Sequence, residues 1–271
     1  MMPLPSPPSL PGWVPDWPVA PQVKAFFSTR KGGVSQAPWA SLNLGDHVGD
    51  LPEHVAANRG LLAQTIGVPS VYLQQVHGWD VVDVDRQTPY GSQADACWTD
   101  QPGVACTIMV ADCLPVLFTD TSGAWVAAAH AGWSGLAGVG GQGVLEATVA
   151  RCLGSGAKPG LRAGDLQVWL GPCIGPQAFE VGPEVRDAFC ETDSEAAPFF
   201  TPLRADRLLA DLPGLARWRL QRSGVRALFG NDSSPKWCTY TQESVFFSHR
   251  RDAARLGATG RMAACIWLDP V

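Results

Sequence analysis

Histidine, tyrosine and methionine are scarce in this chain of 271 residues, with five, three and four copies. Charge is thin as well: 17% of residues are charged and the net charge is −5. The 20 Lys and Arg are scattered and form no basic stripe, which argues against nucleic acid or an anionic membrane as a main partner. No apolar run reaches transmembrane length. The opening "MMPLPSPPSLPGWVPDWPVAP" has no Lys or Arg before Lys24 and no long apolar stretch, so it lacks both parts of a secretory signal. None of the eight cysteines forms a C-x-x-C pair. A cytoplasmic protein with reduced thiols is expected, most of them serving as small buried hydrophobes.

What is present is a hydrophobic share of 46% in a chain long enough to bury a sizeable core. Strand-like runs recur at Val23–Ser28, Val71–Val76, Val81–Val84, Val104–Val110, Leu114–Phe118, Trp125–His130, Leu166–Leu170, Val225–Phe229 and Met262–Leu268. Between them "DLPEHVAANRGLLAQTIG" reads as a helix with Asp50 as N-cap and Gly67 at its end. "GQGVLEATVARCLG", "GPEVRDAFC" and "LLADLPGLARWRLQRSG" also read as helices. The expected architecture is α/β (mixed α+β): a proline-rich segment over 1–22, then a single domain over 23–271 with a central mixed β-sheet flanked by helices.

Three strand-like runs end on reactive groups: "VYLQQVHG" at His77, "ACTIMVADC" at Cys113 and "AWVAAAHAGW" at His130. Any one of these alone is more often a structural residue. Two imidazoles and a thiolate together have the composition of a catalytic zinc site with one open position. The alternative is nucleophilic chemistry, with Cys113 attacking, His130 as base and Asp112 or another carboxylate orienting it. Asp112 also suits a turn or a place behind a metal ligand.

"GVGGQG", residues 138–143, matches G-x-G-x-x-G literally but does not directly follow its strand, so a dinucleotide site is not expected. A plain anion site at that helix start stays open. "FSTRKGG" supplies Arg30 and Lys31, and "FFSHRRD" supplies Arg250 and Arg251, as cations for a phosphate.

The motifs "FSTRKGGVS", "SLNLGDHVGD", "QVHG", "ADCLPV", "HAGW", "GPCIG", "FEVG", "FFSHRRD" and "TGRMAACIW" together resemble the YfiH family, also called the laccase-domain or polyphenol oxidase-type family, now regarded as purine nucleoside phosphorylases. The resemblance runs from about Phe26 to the carboxyl end. It implies a zinc ion on His77, Cys113 and His130, with copper as the second candidate. It also implies phosphorolysis of adenosine, inosine, guanosine and methylthioadenosine, together with adenosine deamination. The partners are then nucleosides and phosphate, in a monomer or homodimer. Arg30, Lys31, Asn43, Gln75 and Arg250 are the candidate contacts for substrate or phosphate. Some members are linked to peptidoglycan precursor editing, which keeps a Cys/His amide hydrolase as the alternative. The chain departs from the family pattern at Ser134, usually Arg, and at His249, usually Tyr. Five histidines cannot furnish the several imidazole-rich centres of a multicopper oxidase.

Overall fold

Apolar runs form the strands, and the side-chain period of two sets which face of its sheet each residue takes. The computed structural model describes residues 10–154, 156 and 160–270, so residues 1–9 of the proline-rich segment lie outside the described residues. In chain order the strands are β1 (Gly12–Trp13), β2 (Val23–Ser28), β3 (Ser70–Tyr72), β4 (Val81–Asp83), β5 (Ala96–Thr99), β6 (Ala105–Val110) and β7 (Leu114–Asp120). They continue as β8 (Val126–Ala131), β9 (Leu166–Leu170), β10 (Glu180–Val181), β11 (Phe200–Arg204), β12 (Arg207–Ala210), β13 (Ala227–Gly230) and β14 (Met262–Leu268). The main helices are α1 (Pro52–Ile66), α2 (Trp133–Ala137), α3 (Val144–Leu153), α4 (Pro183–Cys190) and α5 (Leu212–Arg222).

Two mixed sheets stack face to face. The first has the order β1-β2-β14-β6-β3, antiparallel until β3, which runs parallel to β6. The second has the order β13-β9-β7-β8-β5-β4, antiparallel in the middle and parallel at both ends. A small antiparallel sheet, β10-β12-β11, stands apart. On β14, Met262, Ala264, Ile266 and Leu268 fill the layer between the sheets, while Ala263, Cys265 and Trp267 face Leu62 and Ile66 of α1. On β8, Val126 and Ala128 face the inter-sheet layer, while Ala127, Ala129 and Ala131 meet α3 and α5. The layers are therefore α1, first sheet, second sheet, helices. A one-residue slip would reverse both faces of a strand, and each large apolar side chain then exposed would cost about 1.5–3 kcal/mol.

The mixed α/β expectation holds, and β2, β9 and β14 begin and end where the apolar runs do. Four local readings need correction. Residues "LLA" of the fourth expected helix belong to β12, and the helix begins only after Asp211, whose carboxylate accepts Gly214 N–H at 2.9 Å. Asp50 does not cap α1; that helix starts at Pro52, while the buried Asp50 carboxylate accepts from Ser35 Oγ at 2.6 Å and Asn43 Nδ2 at 2.9 Å. β5 went unread because it is only four residues long, ACWT, too short a run to stand out as a strand. The proline-rich stretch contributes β1, and Trp13 sets its ring edge-on to Trp237 and Phe246 at 5.2 and 5.3 Å.

Buried Asn58 on α1 pins the loop that carries "SLNLGD". It accepts from Val34 N at 2.9 Å and donates to Ser35 Oγ and Asn43 O, each at 2.9 Å. Asn58→Ala leaves these buried groups unpaired and should lower unfolding free energy by about 1–3 kcal/mol. Urea denaturation reads the loss as a lower midpoint at unchanged slope; an unchanged midpoint would show the loop holding itself.

Candidate metal centre

His77 lies just beyond β3 of the first sheet. Cys113 lies where the chain passes from β6 of the first sheet to β7 of the second. His130 is on β8 of the second sheet, and its parity with Val126 and Ala128 turns it toward the inter-sheet layer. Two sheets thus deliver three side chains to one end of the layer between them. Cys113 Sγ is 3.7 Å from His77 Nε2, and the two imidazole centroids are 4.7 Å apart. All three donor atoms lie within 4.8 Å of one another. Zinc bonds of about 2.0–2.3 Å put tetrahedral donors roughly 3.3–3.8 Å apart, so the set needs only a small closure to grip an ion. It is the one such group of His, Cys, Asp or Glu found among the described residues. Space for it depends on Gly132, where a Cβ would lie 2.6 Å from His77 Cδ2 and 3.3 Å from Cys113 Sγ.

The orienting carboxylate is Asp95, which the sequence reading did not single out. Its side chain is fully buried, and Oδ1 is 2.8 Å from His130 Nδ1. The same carboxylate accepts backbone N–H groups from Val76 at 3.1 Å, His77 at 2.9 Å and Gly78 at 2.7 Å. Its own carbonyl accepts His130 N–H at 2.7 Å. One residue therefore fixes the His130 ring, leaving Nε2 for the centre, and holds the turn that bears His77 at a φ of 60°. A positive φ on a non-glycine residue costs on the order of 1–3 kcal/mol, which this anchoring offsets. The only sequence signal was an acidic residue just before a buried strand, in "SQADACW".

The charges at the centre support one another. Burial opposes ionisation of Cys113, but the His130 and His77 imidazoles outweigh it and lower the thiol to about 6. Burial also opposes a charge on His130, yet Cys113 and Asp95 raise it to about 9. Burial raises Asp95, while His130 and the Gly78 and Val76 amides hold it below the ordinary carboxylate range.

Asp112 does not play the orienting part expected of it. Its Oδ1 accepts from Thr239 Oγ1 at 2.6 Å, and its Oδ2 accepts from Ser248 Oγ at 3.0 Å and Arg250 N at 2.7 Å. With a φ of 86° it turns the chain and ties the "FFSHRRD" segment beside Cys113. A cavity of about 140 Å³ opens at Cys113, walled by Trp133, Ile174, Phe179 and Leu212, with His249 and Arg250 at its border.

The other candidate contacts divide. Arg250 borders that cavity, with Nη1 donating to Glu180 O at 2.8 Å. Arg30 is corrected to a bracing role: it donates to Ala40 O and Glu243 O, each at 3.1 Å, sits 3.7 Å from Asp252 and stacks over Phe247. Lys31 is exposed and does not border the cavity. Asn43 is buried, with both amide atoms engaged by Gly45, Asp50 and Arg261. Gln75 exchanges two bonds of 2.8 Å with the Met109 backbone, extending the ladder past β3. At the glycine-rich turn the Gly143 amide donates to Glu146 Oε2 at 2.9 Å, so the helix start is capped by its own side chain and offers no anion site. Ser134 Oγ donates to His77 O at 3.3 Å. All eight cysteines are free. No helix among the described residues is long and apolar enough to cross a membrane.

Comparison with known proteins agrees with this geometry. A family model described as multi-copper polyphenol oxidoreductase laccase matches residues 24–269. A Pseudomonas aeruginosa protein named purine nucleoside phosphorylase is 49% identical over 256 residues, spanning 94% of this chain and 97% of its own. The Escherichia coli purine nucleoside phosphorylase YfiH is 49% identical over 258 residues, spanning 94% of this chain and 98% of its own. A crystal structure of a Neisseria meningitidis protein, assigned to family model DUF152, superposes with a TM-score of 0.86 at 46% identity, covering 96% of this chain and 99% of that one.

Two measurements test the centre. Asp95→Asn keeps the shape but loses the charge behind His130 and should weaken metal binding by about 10–100-fold in chelator competition. In metal-free protein, iodoacetamide alkylation of Cys113 should rise through a midpoint near pH 6, because a lowered pKa leaves thiolate present above that value. An ordinary midpoint near 8.5 would mean the imidazoles do not act on the thiol.

Proposed function

This chain belongs to the multi-copper polyphenol oxidoreductase laccase family, the YfiH family, and from that premise we propose that it is a zinc-dependent purine nucleoside phosphorylase. The observation that carries the reading is the convergence of His77, Cys113 and His130 within 4.8 Å, with His130 held by Asp95. Adenosine, inosine, guanosine and methylthioadenosine are the proposed nucleosides, and adenosine deamination is proposed at the same centre. Two imidazoles and one thiolate with an open fourth position fit catalytic zinc; the same donors can also make a mononuclear copper site, but a multicopper oxidase needs a further, multinuclear centre built from imidazoles. The remaining histidines are His47 and His54, each beside an aspartate, and His249 at the cavity border. That is too few for a multinuclear copper cluster. Zinc bound here would supply Lewis-acid polarisation of an oxygen.

The residues of the chain have distinct tasks. Trp133 and Phe179 offer flat apolar walls for a purine beside the centre. Arg250 sets a cation at the border of the same cavity, 5.8 Å from the Phe179 ring centroid. In phosphorolysis a phosphate oxygen bonds to ribose C1′ while the C1′–N9 bond breaks. The electron pair leaves with the purine, which takes up a proton, and ribose 1-phosphate results. In deamination water adds to the purine carbon and ammonia departs.

A second reading has an observation of its own. A thiol lowered to about 6 beside an imidazole raised to about 9 is the ion pair of a cysteine nucleophile. In that reading Asp95, not Asp112, would orient His130 in an amide hydrolase.

One experiment separates them. Purified protein should carry stoichiometric zinc and release ribose 1-phosphate from adenosine only when phosphate is added. Cys113→Ser should lower zinc affinity by more than about a hundredfold and activity with it. A covalent Cys113 adduct with substrate in zinc-free protein, with no phosphate dependence, would favour the hydrolase.

A further inference from the structure

Arg261 sits one residue before β14. Met262 pairs with Val110 across the sheet, so continuing the antiparallel register sets Arg261 opposite Ala111, next to Asp112 and Cys113. The loop 43–45 is built around it. Arg261 N–H donates to Asn43 Oδ1 at 2.9 Å, and Arg261 O accepts Leu44 N–H at 3.1 Å. Gly45 makes room for its stem, because a Cβ there would lie 2.7 Å from Arg261 Cγ.

Its guanidinium is unlike those of the other covered arginines. Arg219 holds Glu146 at 2.7 Å, Arg251 holds Asp252 at 2.7 Å, and Arg30 lies 3.7 Å from Asp252. Arg217 lacks a carboxylate but donates to three carbonyls, the shortest contact at 2.6 Å. Among the described residues, Arg261 has no carboxylate within 4.0 Å. Its only side-chain bonds are two long ones from Nη1, to Thr259 O at 3.4 Å and Gly260 O at 3.3 Å. Burial lowers its pKa, and the negative charge it senses comes first from Cys113 and then from Asp112. The nearby carboxylate of Asp46 is taken by Arg59 and by the Tyr90 hydroxyl. A cavity of about 430 Å³, bordered by Asp46, His47, Gln74, Gln75 and Tyr90, lies beside the residues that follow Gly45. His47 is held below its ordinary pKa by burial and then by Arg261, so it stands as a neutral donor rather than a rival cation.

A desolvated cation without a partner is costly, and an arginine fork matches a phosphate with two parallel bonds. We propose that Arg261, held by Asn43 and Gly45, receives the inorganic phosphate that this centre uses, with its free Nε and Nη2 edge as the binding fork. This deepens the phosphorylase reading and rests on it. Arg250 then serves the purine side of the centre, and Ser134 needs no replacement guanidinium.

The test compares wild type with Arg261→Gln, both loaded with zinc, by calorimetric titration with phosphate and by KM for phosphate and for adenosine. Loss of a charged fork should weaken phosphate about tenfold or more. Zinc content and the KM for adenosine should stay within about twofold of wild type. Unchanged phosphate affinity overturns the assignment, as does an equal rise in both KM values, which would mark a structural role. Should Arg261→Gln fail to fold, Arg261→Lys keeps the stem and charge but not the fork, and should bind phosphate ~3-fold or more weakly; wild-type affinity in that variant overturns the assignment. Wild type that releases no ribose 1-phosphate defeats the phosphorylase reading by itself, while the phosphate titrations still decide Arg261. A wild type that binds no phosphate overturns both.

Discussion

The Asp95 carboxylate is the constraint on which the centre depends. It is fully buried, and four donors converge on it: three consecutive amides, from Val76 to Gly78, and the His130 ring. A buried carboxylate without such partners would carry a desolvation penalty of several kcal/mol. With them it becomes a rivet between the sheets. The amides belong to the segment leaving β3 of the first sheet, and His130 belongs to β8 of the second. The spacing of the two imidazoles is therefore set by one side chain and not by the packing of two independent loops. Removing that charge would leave both unfixed.

The inter-sheet layer explains why the centre lies at a sheet end. Between β6 and β7 the chain leaves one sheet and enters the other, and Asp112 and Cys113 occupy that crossing. A crossing of this kind needs a sharp reversal, which Asp112 supplies at a φ of 86°. The reversal is stabilised by three donors from the 239–250 segment. The apolar layer stops there, so the thiol and imidazoles meet a cavity on one side and core on the other. Glycines at 132 and 135 complete the fit: a Cβ on Gly135 would come within 2.6 Å of Gly78 O, pushing α2 off the His77 turn.

Much of this was legible in the chain. Strands such as β2, β9 and β14 announce themselves by mostly apolar runs, and His77, Cys113 and His130 by closing such runs. Asp95 and Arg261 were not legible, for a shared reason. Apart from His130 and Asn43, both far away in sequence, their partners are main-chain amides, carbonyls and a glycine that yields space, none of which leaves a side-chain pattern at fixed spacing. Three of the phosphate candidates chosen from sequence show the opposite case. Arg30, Asn43 and Gln75 look available because a sequence displays polar groups but not the backbone atoms that engage them. The small sheet was missed because its strands are short, and because β11 is exposed along most of its length.

The proton balance at the trio bears on which chemistry it suits. His130 Nδ1 is committed to Asp95, so its remaining edge, Nε2, is the one available to Cys113 or to a metal ion. Without a metal, a proton there makes the imidazolium that holds the thiolate, in keeping with a thiol lowered to about 6 and an imidazole raised to about 9. A metal ion and that proton compete for one lone pair, so binding the ion must release the proton. Asp95 serves both states, since a carboxylate behind an imidazole favours a positive charge at the far edge whether it comes from a proton or from a metal. What distinguishes the two is His77. A nucleophile and base need only Cys113 and His130, whereas His77 is held in a left-handed conformation by the same carboxylate and brought to 3.7 Å from the thiol. As a third donor it fits an ion gripped from three sides, and without one it adds to the charge that holds the thiolate.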